Sequence, residues 1–160
     1  MFDESGYRAR DCMSRDVSVV HPETPLRRVV QILADRAIGG LPVVDSRGHL
    51  VGMLTEGDLV RWREGFPASE EHWLETLGEG FEVAPDFLDM LRAERHTARH
   101  VMRPGPVVTI TEEMPAREIA SLLHEKGIKR VPVVADGRII GIVSRSDLVR
   151  MLARWLDEQE

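Results

Sequence analysis

The chain has one cysteine, Cys12, in 160 residues, so no internal disulfide can form. A reducing cytoplasm is the expected compartment. Aromatic residues are 5% of the chain against 42% hydrophobic residues, so the core must be mostly aliphatic. No excess of positive charge is present. A net charge of −6 argues against general nucleic-acid binding, which rests on neutralising phosphates with Lys and Arg. No apolar run approaches the roughly 20 residues that span a bilayer, so no membrane partner is expected. The first residues carry charges of both signs and no apolar stretch, so no secretory signal is read there. The GxxxxGK[ST] loop, the GxGxxG turn and a serine elbow are all missing. With no nucleophile–base pair in view, the reading is of a protein that is not an enzyme.

What the chain does contain is a repeat. Val131 to Arg150 reads VPVVADGRIIGIVSRSDLVR, and Leu41 to Arg61 reads LPVVDSRGHLVGMLTEGDLVR. With one gap in the turn, ten positions from Ile38 on, paired with Ile128 on, are identical. Among them Pro42 pairs with Pro132, Val43 with Val133, Gly52 with Gly141, Asp58 with Asp147 and Arg61 with Arg150. Each copy is an apolar run, a turn, a second apolar run and an apolar helix. In the second copy the turn is Asp136-Gly137. A repeat of this length decides the architecture before any local reading does.

The flanking residues extend both copies. Arg10 to Met13 and Ala98 to Met102 read as short lead-in helices, and Val17 to Val20 and Val107 to Ile110 as brief strands. Thr24-Pro25 reads as N-cap and first helical residue, followed by Leu26, Val29, Val30, Leu33 and Ala37 on one face. Gly39-Gly40 is the expected stop. In the second copy Pro115 starts a helix with Ala116, Ile119, Ala120 and Leu123 on its buried face, and Gly127 ends it. The expected fold class is α+β: two β-α-β-β-α repeats, at 10–62 and 98–153, packed sheet to sheet around a pseudo-twofold. About fifty residues cannot bury an apolar sheet face well alone. The stretch 63–97 holds Trp73, Leu74, Leu77, Phe81, Phe87, Leu88 and Leu91, too many large apolar groups to leave in water, and reads as a helical insertion.

These features resemble a tandem pair of CBS domains, the arrangement called a Bateman module. The resemblance rests on Pro-Val-Val after a helix, then Gly-aliphatic-aliphatic-[Ser/Thr]-x-x-Asp, each present twice. The central stretch resembles bacterial members that often carry a further BON domain, which is not found in this sequence. The resemblance implies a regulatory or sensing module and a homodimer. It also implies an adenosyl-containing ligand, with AMP or ATP foremost, in the clefts between the repeats. The alternative is a dimerisation or scaffold module with vestigial pockets.

The candidate residues follow from that resemblance, each beside a plainer role. Thr55 with Asp58, and Ser144 with Asp147, have the spacing of a capping box, with Asp where Glu or Gln is usual. In the ligand reading, Asp58 and Asp147 accept hydrogen bonds from the two ribose hydroxyls. Thr55, Ser144, Ser146 and the helix-start N–H groups would then hold phosphate. Arg145 and Arg130 add positive charge in the second copy, where the first has Glu56 and Gly40. Val19 and Val20, and Thr109 and Ile110, match the wall beside the adenine, or are plain core strand. His96 and His100 stand four apart, but a metal site needs more ligands, so no metal is assigned. Cys12 reads as a small buried apolar residue.

Overall fold

The computed structural model describes residues 6–61, 96–103 and 106–160. The expected insertion at 63–97 lies outside the described residues, apart from its last two positions. Numbered over the described residues, the elements are α1 (Ala9–Cys12), α2 (Leu26–Arg36), β1 (Gly40–Val44), β2 (Leu50–Thr55) and α3 (Glu56–Arg61). Then come α4 (Ala98–Val101), α5 (Ala116–Lys126), β3 (Arg130–Ala135), β4 (Arg138–Ser144) and α6 (Arg145–Glu158). The fold is α+β with two two-stranded sheets, β1 with β2 and β3 with β4. In the second hairpin Asp136 and Gly137 both adopt positive φ, 52° and 76°. That is the two-residue turn whose twist matches its strands.

The chain divides into two compact units. One, the Asp147 unit, comprises residues 1–17 and 107–160, with the turn residues 48–50. The other, the Asp58 unit, comprises 18–47 and 51–106. The lead-ins are therefore crossed: α1 belongs with the second hairpin and α4 with the first. Hydrogen bonds show how each is held. The Ala116 N–H at the start of α5 donates to the Tyr7 carbonyl at 2.9 Å, and the Leu26 N–H at the start of α2 donates to the His96 carbonyl at 2.9 Å. These satisfy helix-start donors that a side-chain cap would otherwise take. Pro25 and Pro115 are the cap residues, with no side-chain cap bond. Thr24 is thus not the N-cap; its hydroxyl accepts from the His21 N–H at 2.9 Å instead.

Each unit has its own aliphatic core. The Asp147 unit buries Ala9, Cys12, Met13, Ile110, Ile119, Leu123, Val131, Val133, Val143 and Met151 together. The Asp58 unit buries Val20, Leu26, Val29, Leu33, Leu41, Val43, Leu54, Ala98 and Val101. Glycine makes room for the lead-ins. A Cβ on Gly141 would stand 2.5 Å from Met13 Sδ, and one on Gly52 would stand 2.9 Å from Met102 Sδ.

Three local expectations are corrected. The α2 helix ends at Ala37, a non-glycine residue with φ 50°, before Gly39 is reached. At the matching position α5 ends on Gly127, φ 61°. Ala37 and Ala120 are exposed rather than on the buried face. The strands expected to end at Val20 and Ile110 reduce to single parallel bridges, Val20 to Val43 and Ile110 to Val133. Their neighbours Pro42 and Pro132 accept from the Val20 and Ile110 N–H groups, each at 3.0 Å, but have no N–H to donate.

Candidate functional site

Each hairpin ends in a Thr or Ser that starts a helix with an aspartate three residues on. Both aspartates are buried, Asp58 at 7% exposure and Asp147 at 5%. A buried carboxylate must be paired or fully hydrogen-bonded, and the chain does both. At α6, Asp147 Oδ2 accepts from the Ser144 N–H at 2.7 Å and from Ser144 Oγ at 2.9 Å. Ser144 Oγ in turn accepts from the Asp147 N–H at 3.2 Å. At α3, Asp58 Oδ2 accepts from the Thr55 N–H at 2.9 Å, and Thr55 Oγ1 accepts from the Asp58 N–H at 3.2 Å. Both pairs are capping boxes, the plainer role read from the spacing.

The second carboxylate oxygen separates the two sites. Asp147 Oδ1 accepts from Ser14 Oγ at 3.3 Å and pairs with the Arg150 guanidinium. Asp58 Oδ1 accepts from Arg103 Nε at 2.9 Å. Ser14 and Arg103 are matching positions, each one residue after the lead-in methionine. Both are held by the second strand: the Ser14 N–H donates to the Ile142 carbonyl at 2.9 Å, and the Arg103 N–H to the Met53 carbonyl at 3.3 Å. Neither residue was singled out from the sequence. The signal was the lead-in repeat, Ala9 to Met13 against Ala98 to Met102, carried one residue further.

The other candidates divide. Arg130 stands across the ladder from Ser144, so those two are brought together. The Arg145 N–H donates to the Lys129 carbonyl at 3.1 Å, which commits it within the fold, while its side chain is exposed. Ser146 and Thr109 are also exposed. Val20 and Ile110 lie in the cores at 2% exposure, whereas Val19 is 36% exposed. Alternation along an extended segment sends neighbours to opposite faces, so Val19 matches Thr109 and Val20 matches Ile110. Glu56 is exposed beside Asp58, and Arg103, a cation the sequence reading did not supply, pairs with Asp58.

His96 and His100 meet edge to face, ring centroids 5.6 Å apart. His100 Nδ1 accepts from the Thr97 N–H at 3.0 Å and so completes the box that caps α4. Among the described residues no three His, Cys, Asp or Glu side chains are grouped to hold a metal ion. Burial pushes the Cys12 thiol up to about 11, with Asp147 and Asp11 adding to the shift, so it is a packed, unreactive group. No helix among the described residues is long and apolar enough to cross a membrane.

Two tandem α+β units, each presenting a capped, buried aspartate after a hairpin, define a duplicated module. The chain belongs to the CBS domain family: the family model described as CBS domain matches residues 9–65 and 98–154. A CBS domain-containing protein of Dictyostelium discoideum is 32% identical over 149 residues, 92% of this chain and 92% of its own length. The solved CBS domain of a CBS domain-containing membrane protein from Sphaerobacter thermophilus is 35% identical. Its TM-score is 0.68, over 91% of this chain and 87% of its own. The crystal structure of Arabidopsis thaliana CBSX2 in complex with AMP is 28% identical, with a TM-score of 0.67 over 93% of this chain and 98% of its own.

Proposed function

We propose that the chain is a regulatory module that binds an adenine nucleotide, AMP or ATP, at the Asp147 unit, and that it works in the cytoplasm. The observation that carries this reading is Asp147 itself, a buried carboxylate fixed at the start of α6 beside Ser144, with Arg130 across the ladder. CBSX2, which is solved with AMP, supports the choice of ligand class. A ribose diol needs two acceptor positions, and a carboxylate offers about four. Those of Asp147 are taken by Ser144, Ser14 and Arg150. The diol therefore enters by displacing Arg150 and Ser14. Arg150 reaches Asp147 across one helical turn through a terminal nitrogen, with 67% of its side chain exposed, so its tip can swing off without disturbing the core. Arg145 and Arg130 supply the charge that phosphate needs.

Titration calorimetry with AMP, ADP, ATP and adenosine tests this. Asp147→Ala is expected to lower affinity at least tenfold, since each charge-assisted bond is worth roughly 1.5–3 kcal/mol. Arg145→Glu is expected to weaken ATP more than adenosine. No heat with any of the four ligands would refute the proposal.

The second reading, a dimerisation module with vestigial pockets, has its own observation: the fold fills the acceptor positions of Asp147 from within. Self-association fits both readings. On α6, Met151 is committed to the core, but Val149 is 65% and Leu156 54% exposed. Two exposed aliphatics seven residues apart, on one side of one helix, suit a second copy of the chain. Light scattering at micromolar concentration is expected to give twice the chain mass; a monomer would remove the dimer from both.

A further inference from the structure

The two buried aspartates are equivalent in the repeat but are not equally open to a ligand. We infer that Arg103 closes the Asp58 site, so that nucleotide binds only at Asp147, and that position 14/103 determines which unit binds. This rests on the nucleotide reading above and names the residue that selects between its two candidate sites.

The argument starts from the backbone. Positions 14 and 103 follow the lead-in helices and are each pinned to the strand that runs into the aspartate's helix, at Ile142 and Met53. Their side chains are thereby delivered to the Oδ1 atoms of Asp147 and Asp58. In the Asp147 unit the delivered group is a neutral hydroxyl at 3.3 Å. In the Asp58 unit it is a guanidinium, bonded through Nε at 2.9 Å. Both bonds are charge-assisted through the carboxylate, but only the guanidinium also brings an opposite charge from this position. Geometry adds to the difference. Nε lies next to the aliphatic stem, so Arg103 cannot leave Asp58 by a small swing of its tip. Its backbone is also anchored, by the Met53 carbonyl and by Met102 packed against Gly52. Arg150, in contrast, reaches Asp147 with a terminal nitrogen from the same helix. At either aspartate a ribose replaces an ion pair with neutral hydroxyls; at Asp58 the pair to be replaced is the one held through Nε.

Calorimetric stoichiometry with AMP decides the matter, using the full chain. Arg103→Ser writes the Asp147 unit's chemistry into the Asp58 unit. The expected result is one AMP per chain in the wild type and two in Arg103→Ser. In the double variant Arg103→Ser, Asp147→Ala one site should remain. The reciprocal change, Ser14→Arg, is expected to weaken AMP at Asp147 at least tenfold, and it decides the question if Arg103→Ser does not fold. Two AMP in the wild type, or one in a folded Arg103→Ser, would overturn the closure while the nucleotide reading stands. No AMP in the wild type but one in Arg103→Ser would remove the Asp147 reading and keep the closure. No AMP in either protein, or unchanged affinity in Ser14→Arg, would overturn the inference.

Discussion

The Asp147 unit and the Asp58 unit are built on one plan and diverge at a few side chains. Backbone hydrogen bonds match almost bond for bond: Val44 N–H to Val20 O and Val134 N–H to Ile110 O are both 2.9 Å. So do the crossed lead-ins, the methionine over glycine and the two capping boxes. The differences sit where a side chain leaves that shared frame: Ser14 against Arg103, Gly127 against Ala37, and Met13 against Met102 in closeness to its glycine. A duplicated scaffold keeps the aspartate in place, and the residue after the lead-in methionine brings its second oxygen either the Ser14 hydroxyl or the Arg103 guanidinium.

The comparison can be broken most severely at the lead-in. Deleting residues 1–14 removes Ala9, Cys12 and Met13 from the core of the Asp147 unit. Burial of one methionine side chain alone contributes about 1.5–3 kcal/mol, and Tyr7, which satisfies the start of α5, goes with it. Hydrogen exchange should show Val131 and Val133 amides losing protection while Leu41 and Val43 keep theirs. Equal protection in both units would contradict the crossing of the lead-ins.

A smaller break comes at the glycines. Gly141→Ala sets a methyl group 2.5 Å from Met13 Sδ and 2.9 Å from its Cγ. Gly52→Ala meets Met102 Sδ at 2.9 Å but Cγ only at 3.5 Å. Overpacking of this kind costs about 1–3 kcal/mol. Gly141→Ala belongs at the upper end and Gly52→Ala at the lower, as chemical denaturation should show; the reverse order would mean that Met13 yields more easily than Met102.

The gentlest change sharpens the comparison. Ala37 holds φ 50°, where a Cβ is strained, and Gly127 fills the equivalent place. Ala37→Gly should relieve that strain and raise stability slightly, because less strain outweighs the greater freedom of glycine in the unfolded chain. Gly127→Ala should destabilise by about 1 kcal/mol. Matching shifts of the same sign in thermal melts would show that the two helix ends are not equivalent.

Much of this was legible in the residues. Identical Pro, Gly and Asp positions ninety apart specify two hairpins, and the 3.6-residue period picks out Leu26, Val29 and Leu33, all of which are buried. The hydroxyl-x-x-Asp spacing announces the capping boxes. Periodicity shows which face of an element is apolar but not which partner covers it, so the crossing of the lead-ins was invisible. For the same reason Arg103, 45 residues from Asp58, escaped notice. Ala37 escaped too, because glycines stood two residues on and alanine is an unlikely left-handed residue.

The crossing bears on synthesis. The first hairpin leaves the ribosome long before Ala98 and Met102, the residues that complete its core. The segment Tyr7 to Met13, made earlier than either hairpin, has its own partners beyond residue 110. The first hairpin cannot finish its core as it emerges, and the second closes only by recovering a segment made about a hundred residues earlier; such long closures slow folding. A nascent chain stopped between the two halves therefore carries one unfinished core and a lead-in without its hairpin, and a gene cut at that point would encode neither unit whole.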